Sequence, residues 1–199
     1  MDITILGGRI DFNRKLSELD KFVIAFTSLL SQQKIRHVIV SGYVSILFGR
    51  NRASEDIDII IEKLGYSRFM QLWQQSKREF LCINTSKERE AYNEYLLDGY
   101  SIRFAGKGKF IPNIELKFPK VDLDLWTLSE RKEVILNGNK LFISPLELQI
   151  PFKLFLGSKK DIEDARYLYR VFEGKLDTQL MMEFNRKLKI EKAFRRYLQ

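Results

Sequence analysis

Two aspartates separated by one isoleucine, Asp56-Ile57-Asp58, are the residues of this chain best suited to chemistry. They lie in residues 55–61 (EDIDIII), where acids alternate with isoleucines. In a strand, residues two apart share a face. Both carboxylates then project to one side, and Ile57, Ile59 and Ile61 to the other. Side by side the carboxylates repel each other and lose hydration, and a cation between them relieves both costs. Hard oxygen donors of this kind select Mg2+ or Mn2+ rather than zinc. A strand whose acidic face simply meets water carries the same alternation. Upstream, Ser41-Gly42 falls between a short β-rich run, 35–40, and a short helical run, 43–48. Small residues at a strand-to-helix turn let backbone N–H groups approach a phosphate. Arg52 and Ser54 then lead into the acidic strand. The expected chemistry is a phosphate cradle on one strand end followed by a two-carboxylate metal site on the next strand.

The elements around this core follow from hydrophobic periodicity. Apolar residues at spacings of three and four predict helices over 12–32, 66–80 and, more polar, 86–97. Residues 100–104, 113–118 and 121–126 read as strands, and Asn137-Gly138 is a strong turn signal between strands at 134–136 and 141–143. From Ser144 the pattern becomes helical, with Ser144-Pro145 as a helix start. Helices are expected to about 156, then over 160–172 and 178–198. The expected fold class is therefore α+β with an α/β core: a mixed sheet flanked by helices, followed by a C-terminal helical region. The corresponding division is 1–143 for the catalytic region and 144–199 for the helical one.

The 199 residues carry 34 Lys+Arg against 26 Asp+Glu, a net charge of +8, and 45% are hydrophobic. That apolar share supports a core and excludes global disorder. The one cysteine, Cys82, excludes an internal disulfide and fits a reducing compartment. There is no apolar stretch of membrane-spanning length and no signal-peptide layout at the N-terminus, so a soluble cytoplasmic protein without a membrane partner is expected. The charge favours polyanionic partners. Half of the excess lies in residues 175–199, with seven basic against three acidic residues. Those cations form either a solvated face or a phosphate-binding face, with Phe194 and Tyr197 as stacking groups.

The run from Ser41 to Asp58 (SGYVSILFGRNRASEDID) resembles the signature of the DNA polymerase beta-like nucleotidyltransferase superfamily. Within it, the run is most similar to the minimal AbiEii-type group, which includes toxins of toxin–antitoxin systems. That signature has two small residues on a strand-to-helix turn, then Arg-x-Ser/Thr-x-Asp-hydrophobe-Asp. Ser41-Gly42 stands where Gly-Gly or Gly-Ser is usual. Residues 146–153 (LELQIPFK) and 159–165 (KKDIEDA) resemble the helical motif of the same group. The resemblance covers about residues 35–173.

The resemblance implies a third acid on a neighbouring strand. Asp124 fits the pattern best, followed by Asp122 and then Glu115. Asp56, Asp58 and that acid would hold two metal ions, with the third acid also suited to taking the proton of an attacking hydroxyl. Lys153 would touch a triphosphate, with Lys160, Asp161 and Asp164 close by. Lys160-Asp161 is equally a capped helix start. His37, the only histidine, reads as structural. The resemblance implies NMP transfer from an NTP to an acceptor, RNA and specifically a tRNA end, or else a protein such as a partner antitoxin, with a role as a toxin and an antitoxin protein as partner. The alternatives are a catalytically silent RNA- or protein-binding module on the same fold and a DxD glycosyltransferase. The latter gives the Ser41-Gly42 cradle and Lys153 no role.

Overall fold

The computed structural model describes residues 2–198. Among the described residues nine strands form one mixed sheet: β1 (Thr4–Leu6), β2 (Arg9–Phe12), β3 (His37–Ile39), β4 (Asp56–Ile61), β5 (Phe80–Cys82), β6 (Ile102–Gly106), β7 (Asn113–Lys117), β8 (Lys132–Leu136) and β9 (Asn139–Ile143). Their spatial order is β1-β2-β8-β9-β3-β4-β7-β6-β5. Pairs β2–β8, β3–β9 and β4–β7 are parallel and the others antiparallel. The helices are α1 (Glu18–Gln32), α2 (Gly42–Leu47), α3 (Tyr66–Ser76), α4 (Glu88–Glu90), which continues as a π-helical stretch Ala91–Leu96, α5 (Asp122–Ser129), α6 (Leu146–Leu156), α7 (Lys159–Val171), α8 (Thr178–Lys187) and α9 (Glu191–Leu198). Among the described residues no helix is long and apolar enough to cross a membrane.

The alternation in β4 sorts the two faces of the sheet. Ile57, Ile59 and Ile61 enter the main core with Phe26 of α1, Phe69 and Trp73 of α3, and Phe104 of β6. The Phe26 and Phe104 rings lie 5.4 Å apart and those of Trp73 and Phe104 5.8 Å apart. On the opposite face Val38 and Ile60 pack with Leu128 of α5. Helix α5 covers only part of that face, and the acidic end of β4 stays accessible.

Three sequence expectations change. Residues 121–126, expected as a strand, begin α5. The Asp124 carboxylate accepts hydrogen bonds from the backbone N–H groups of Lys120 (2.8 Å) and Val121 (3.2 Å). An acid that satisfies the free donors of a first turn stabilises a helix start, and this outweighs the strand-like alternation. The expected helix 12–32 begins only at Glu18. Ser17 caps it by accepting from the Asp20 N–H while the Asp20 carboxylate accepts from the Ser17 N–H. The expected helix 178–198 is two helices, broken at Lys189 with φ 56°. The periodicity also left three short strands unread. β1 and β2 form a hairpin on Gly7-Gly8, both with positive φ, which suits a two-residue turn. β5 is the sheet edge beyond β6.

Candidate active site

The carboxylates come together through strand register. β4 and β7 run parallel, with Asp56 opposite Asn113, Asp58 opposite Glu115 and Ile60 opposite Lys117. By the period of two, Asp56, Asp58, Glu115 and Lys117 share one face. Neither Asp56 nor Asp58 has a cationic partner within 4.0 Å among the described residues. Burial raises the Asp58 carboxyl above its usual range, and the Glu115 and Asp56 charges push the same way. The Ser41 hydroxyl and the Lys117 ammonium oppose that rise. Glu115 differs. Burial pushes it up, but Ser101 at 2.8 Å and Arg103 at 3.1 Å hold it below its ordinary value.

The acid on the strand beside Asp58 is therefore Glu115, the residue ranked last of three from the sequence. Asp124 and Asp122 lie on α5. Asp124 lines the same cavity as Asp58, with its carboxylate turned to the helix start. Asp122 is exposed. Among the described residues no three His, Cys, Asp or Glu side chains converge as a ready-made metal site. The donor set nonetheless fits a hard divalent cation: two uncompensated carboxylates on one face, one of them disfavoured as an anion by its surroundings, with a third carboxylate on the next strand.

The turn before α2 carries an unusual backbone. Ser41 has φ 62° and ψ −134°, a region that residues with a β-carbon rarely adopt. Its carbonyl accepts from Gln149 Nε2 at 2.7 Å, and Gln149 Oε1 accepts from the Ser144 hydroxyl at 2.7 Å. At Gly42 a side chain would displace its neighbour. A β-carbon there would collide with the Arg52 guanidinium, which lies directly against the turn. Ser54 lies beside it, and its hydroxyl donates to the Asp56 carbonyl at 3.0 Å. Helix α2 is held from below by Tyr43. Its hydroxyl donates to Asp20 at 2.7 Å, and Asp20 also accepts two 2.7 Å hydrogen bonds from Arg14.

Behind the turn, three cations surround one buried carboxylate. Asp164, 0% exposed, lies 2.8 Å from Lys153 Nζ, 3.4 Å from Arg50 Nε and 3.5 Å from Arg52 Nε. Arg50 also pairs with Glu163 at 2.6 Å, and Lys153 with Asp161 at 3.4 Å. Arg52 Nε and Nη1 are buried without a hydrogen-bond partner. Guanidinium donors without hydrogen-bond partners beside a strand-to-helix turn are suited to an anion. Asp161 both caps α7, through Ser158, and reaches Lys153. Lys160 is exposed at the start of α7 and has no acidic partner within 4.0 Å among the described residues.

Ser41, Asp58, Lys117, Gln149 and Lys153 line a cavity of about 180 Å3 with apolar walls that include Val40, Ile60, Leu123 and Phe152. His37 is buried, makes a 2.9 Å contact through Nδ1 with the Ile35 carbonyl and packs edge-on against Phe142, apart from this site. In the C-terminal helices Phe194 is buried against Tyr169, so it is not free to stack on a base. The sequence reading missed Gln149, Lys117 and Arg50. Lys117 was legible from its two-residue spacing to Glu115.

No protein-family model and no curated protein matches this chain. Solved structures do. An antigenic nucleotidyltransferase-like protein from Paracoccidioides brasiliensis aligns with TM-score 0.58 at 18% identity, over 91% of this chain and 92% of that one. ANT(2″)-Ia in complex with adenylyl-2″-tobramycin aligns with TM-score 0.53 at 12% identity, over 86% and 99%. JHP933 from Helicobacter pylori aligns with TM-score 0.50 at 19% identity, over 92% and 81%. At these identities the likeness defines the fold. The chain has the nucleotidyltransferase-like mixed sheet, with helices on its faces and a helical C-terminal region.

Proposed function

We propose that this protein is a metal-dependent nucleotidyltransferase that moves an NMP from an NTP to an acceptor hydroxyl. The single observation that carries the reading is the register Asp58↔Glu115 beside Asp56, with Asp58 lining the cavity that also holds Ser41 and Lys153. In this reading residues 1–143 supply the carboxylates and the phosphate turn, and residues 144–199 supply Gln149 and Lys153. Asp56 and Asp58 would hold Mg2+ or Mn2+, with Glu115 in preference to Asp124 or Asp122 as the third acid. A bound divalent cation would neutralise charge on the triphosphate and on the attacking oxygen.

The chain's own residues do the rest. The Ser41-Gly42 turn and the Arg52 guanidinium receive phosphate oxygens, and Lys153 adds positive charge from beneath. Lys160 and Asp161 belong to this nucleotide-binding set, Asp161 by orienting Lys153. The acceptor oxygen bonds to the α-phosphorus as the bond to the β-phosphate oxygen breaks, and pyrophosphate leaves. In this reading Glu115, opposite Asp58, takes the hydroxyl proton once its hydrogen bonds from Ser101 and Arg103 are released. Positioning and charge stabilisation account for the catalysis, without a covalent enzyme intermediate.

For the acceptor we propose RNA, with a tRNA as the specific case. The net charge of +8 supports a polyanion. The sequence resemblance to the AbiEii-type group supports a role as a toxin, regulated by an antitoxin protein and acting in the cytoplasm. Incubation with each of the four α-labelled NTPs, Mg2+ or Mn2+ and total RNA tests this. Transfer by the wild type that is lost in Asp58→Asn supports the reading. Absence of transfer, together with absence of NTP binding at millimolar concentration, contradicts it.

A further inference from the structure

A second and larger cleft lies at the end of the sheet where β4 begins. It measures about 870 Å3 and runs between the start of α1, the segment from Arg50 to Glu55, and the loop joining β6 to β7. Five cations line it against two acids, Glu18 and Glu55. Lys21, Arg50 and Arg52 are already paired with acids. Lys107 and Lys109, both on the β6–β7 loop, have no acidic partner within 4.0 Å among the described residues. Next to them Phe110 is 76% exposed and Ile111 54% exposed. The cleft floor is apolar, with Leu19, Phe22, Ile46 and Pro112.

We propose that this cleft binds single-stranded RNA, with Lys107 and Lys109 on its phosphates and Phe110, exposed beside the cleft rather than lining it, as a stacking platform for a base. The proposal rests on the RNA-acceptor reading above and gives that acceptor a place. The composition of the loop carries it. An exposed aromatic ring directly after two lysines without acidic partners has no packing role, whereas phosphates followed by an unpaired base on a strand of RNA match it. Unpaired bases are required, since a base inside a duplex offers no free face for a side chain to stack on. The volume of the cleft is that of a small-ligand site and suits individual nucleotide units. An acidic protein would satisfy the lysines but leave Phe110 without a purpose.

The position links the cleft to the active site. The Asn113 N–H donates to the Glu55 carbonyl at 2.8 Å, fixing the loop to the residue before Asp56. Arg52 and Ser54 belong both to the cleft and to the phosphate turn at Gly42. Helix α1 packs on the face opposite the carboxylates. RNA held here would therefore be gripped behind the sheet end, with its terminus passing round the edge to Asp56.

The test is direct binding of a fluorescein-labelled single-stranded RNA 12-mer, without NTP or metal, to the wild type and to Lys107→Gln/Lys109→Gln/Phe110→Ala. We expect the triple variant to bind at least about tenfold more weakly. Its log Kd against log salt should be shallower by roughly 1.4, since each phosphate contact on a single strand contributes about 0.7. Ultraviolet crosslinking of the wild type should label the peptide containing Phe110. No binding by the wild type at low salt, unchanged affinity and slope in the variant, or crosslinks confined to α8 and α9 would overturn the proposal. So would equal loss of polyglutamate and RNA binding in the triple variant with no effect of Phe110→Ala alone, which would assign the loop to an acidic protein. Because RNA binding is read apart from NMP transfer, RNA held at this loop by a protein that transfers nothing would leave the proposal standing and remove the enzyme reading.

Discussion

The side-chain amide of Gln149 donates to the carbonyl of Ser41 at 2.7 Å, joining residues 108 apart in sequence. Ser41 is the first residue of the strand-to-helix turn proposed to receive phosphate and carries the positive φ of 62°, while Gln149 is fixed from its other end by Ser144. The helical half of the chain thus holds the turn of the sheet half in a conformation that a serine does not readily adopt.

Ser41→Gly is therefore expected to stabilise the fold. Backbone in such a region costs a β-carbon-bearing residue roughly 1–3 kcal/mol. Glycine's larger freedom when unfolded takes back about 0.4–1 kcal/mol. A net gain of about 1 kcal/mol should appear as a higher urea midpoint at unchanged slope. NTP affinity should fall in the same variant, because the hydroxyl beside Asp58 is lost. A lower midpoint would show that the Ser41 side chain contributes more than its backbone costs.

Asp164→Ala should be among the most damaging substitutions outside the carboxylate strand. It leaves Lys153, Arg50 and Arg52 facing one another without their shared buried partner. Breaking such a buried pair from one side costs about 3–5 kcal/mol. Thermal denaturation should show the loss, and anion or NTP binding should partly restore stability by supplying the missing negative charge. A variant as stable as the wild type would contradict the role given to Asp164.

Acid should destabilise the protein in part through Asp20. Burial pushes this carboxyl up, but Arg14, Ser17 and Tyr43 together hold it below its ordinary value. A depressed carboxyl contributes stability that is fully present above its unfolded pKa, near 4, and is lost as pH falls through the lower folded value. Urea unfolding between pH 3 and pH 7 should therefore show a stability loss on the acid side that is smaller in Asp20→Asn. The same variant should be less stable at pH 7, since Arg14 and Tyr43 lose the carboxylate that pairs them to α1. An identical pH dependence in both proteins would contradict this.

The C-terminal cations provide a separate test of the polyanion. Neutralising Arg186, Lys187, Lys192 and Arg196, all exposed, should weaken RNA binding and flatten its dependence on salt. An unchanged salt slope would identify them as a solvated face.

Local chemistry in this chain was legible where a short pattern has one reading. The acids and isoleucines of β4 can alternate only as a strand with one core face, and Ser41-Gly42 followed by apolar residues marks a strand-to-helix turn. Residues 121–126 had two readings. Their alternation fits a strand, yet aspartates after Pro119 also suit a helix start, and the hydrogen bonds from Lys120 and Val121 to Asp124 decide for the helix. Glu115 could not be ranked first, because it faces Asp58 through a register between strands more than 50 residues apart. Gln149 and Asp20 find their partners on other elements, Ser41 and Tyr43, which helical periodicity does not reveal, although Ser17-x-x-Asp20 is a capping pattern visible in the sequence. The strands β1, β2 and β5 have only three or four residues, too few for a period to emerge.

The central claim is NMP transfer at the Asp56, Asp58 and Glu115 face, and the position of the label tests it most directly. With Mg2+ or Mn2+ and RNA, an NTP labelled at the α-phosphate should leave its label on the acceptor. The same NTP labelled at the γ-phosphate should release it as pyrophosphate, and both signals should vanish in Asp58→Asn and in Glu115→Gln. Label from the γ-phosphate appearing on the acceptor, or α-label transfer that persists in Asp58→Asn, would contradict it.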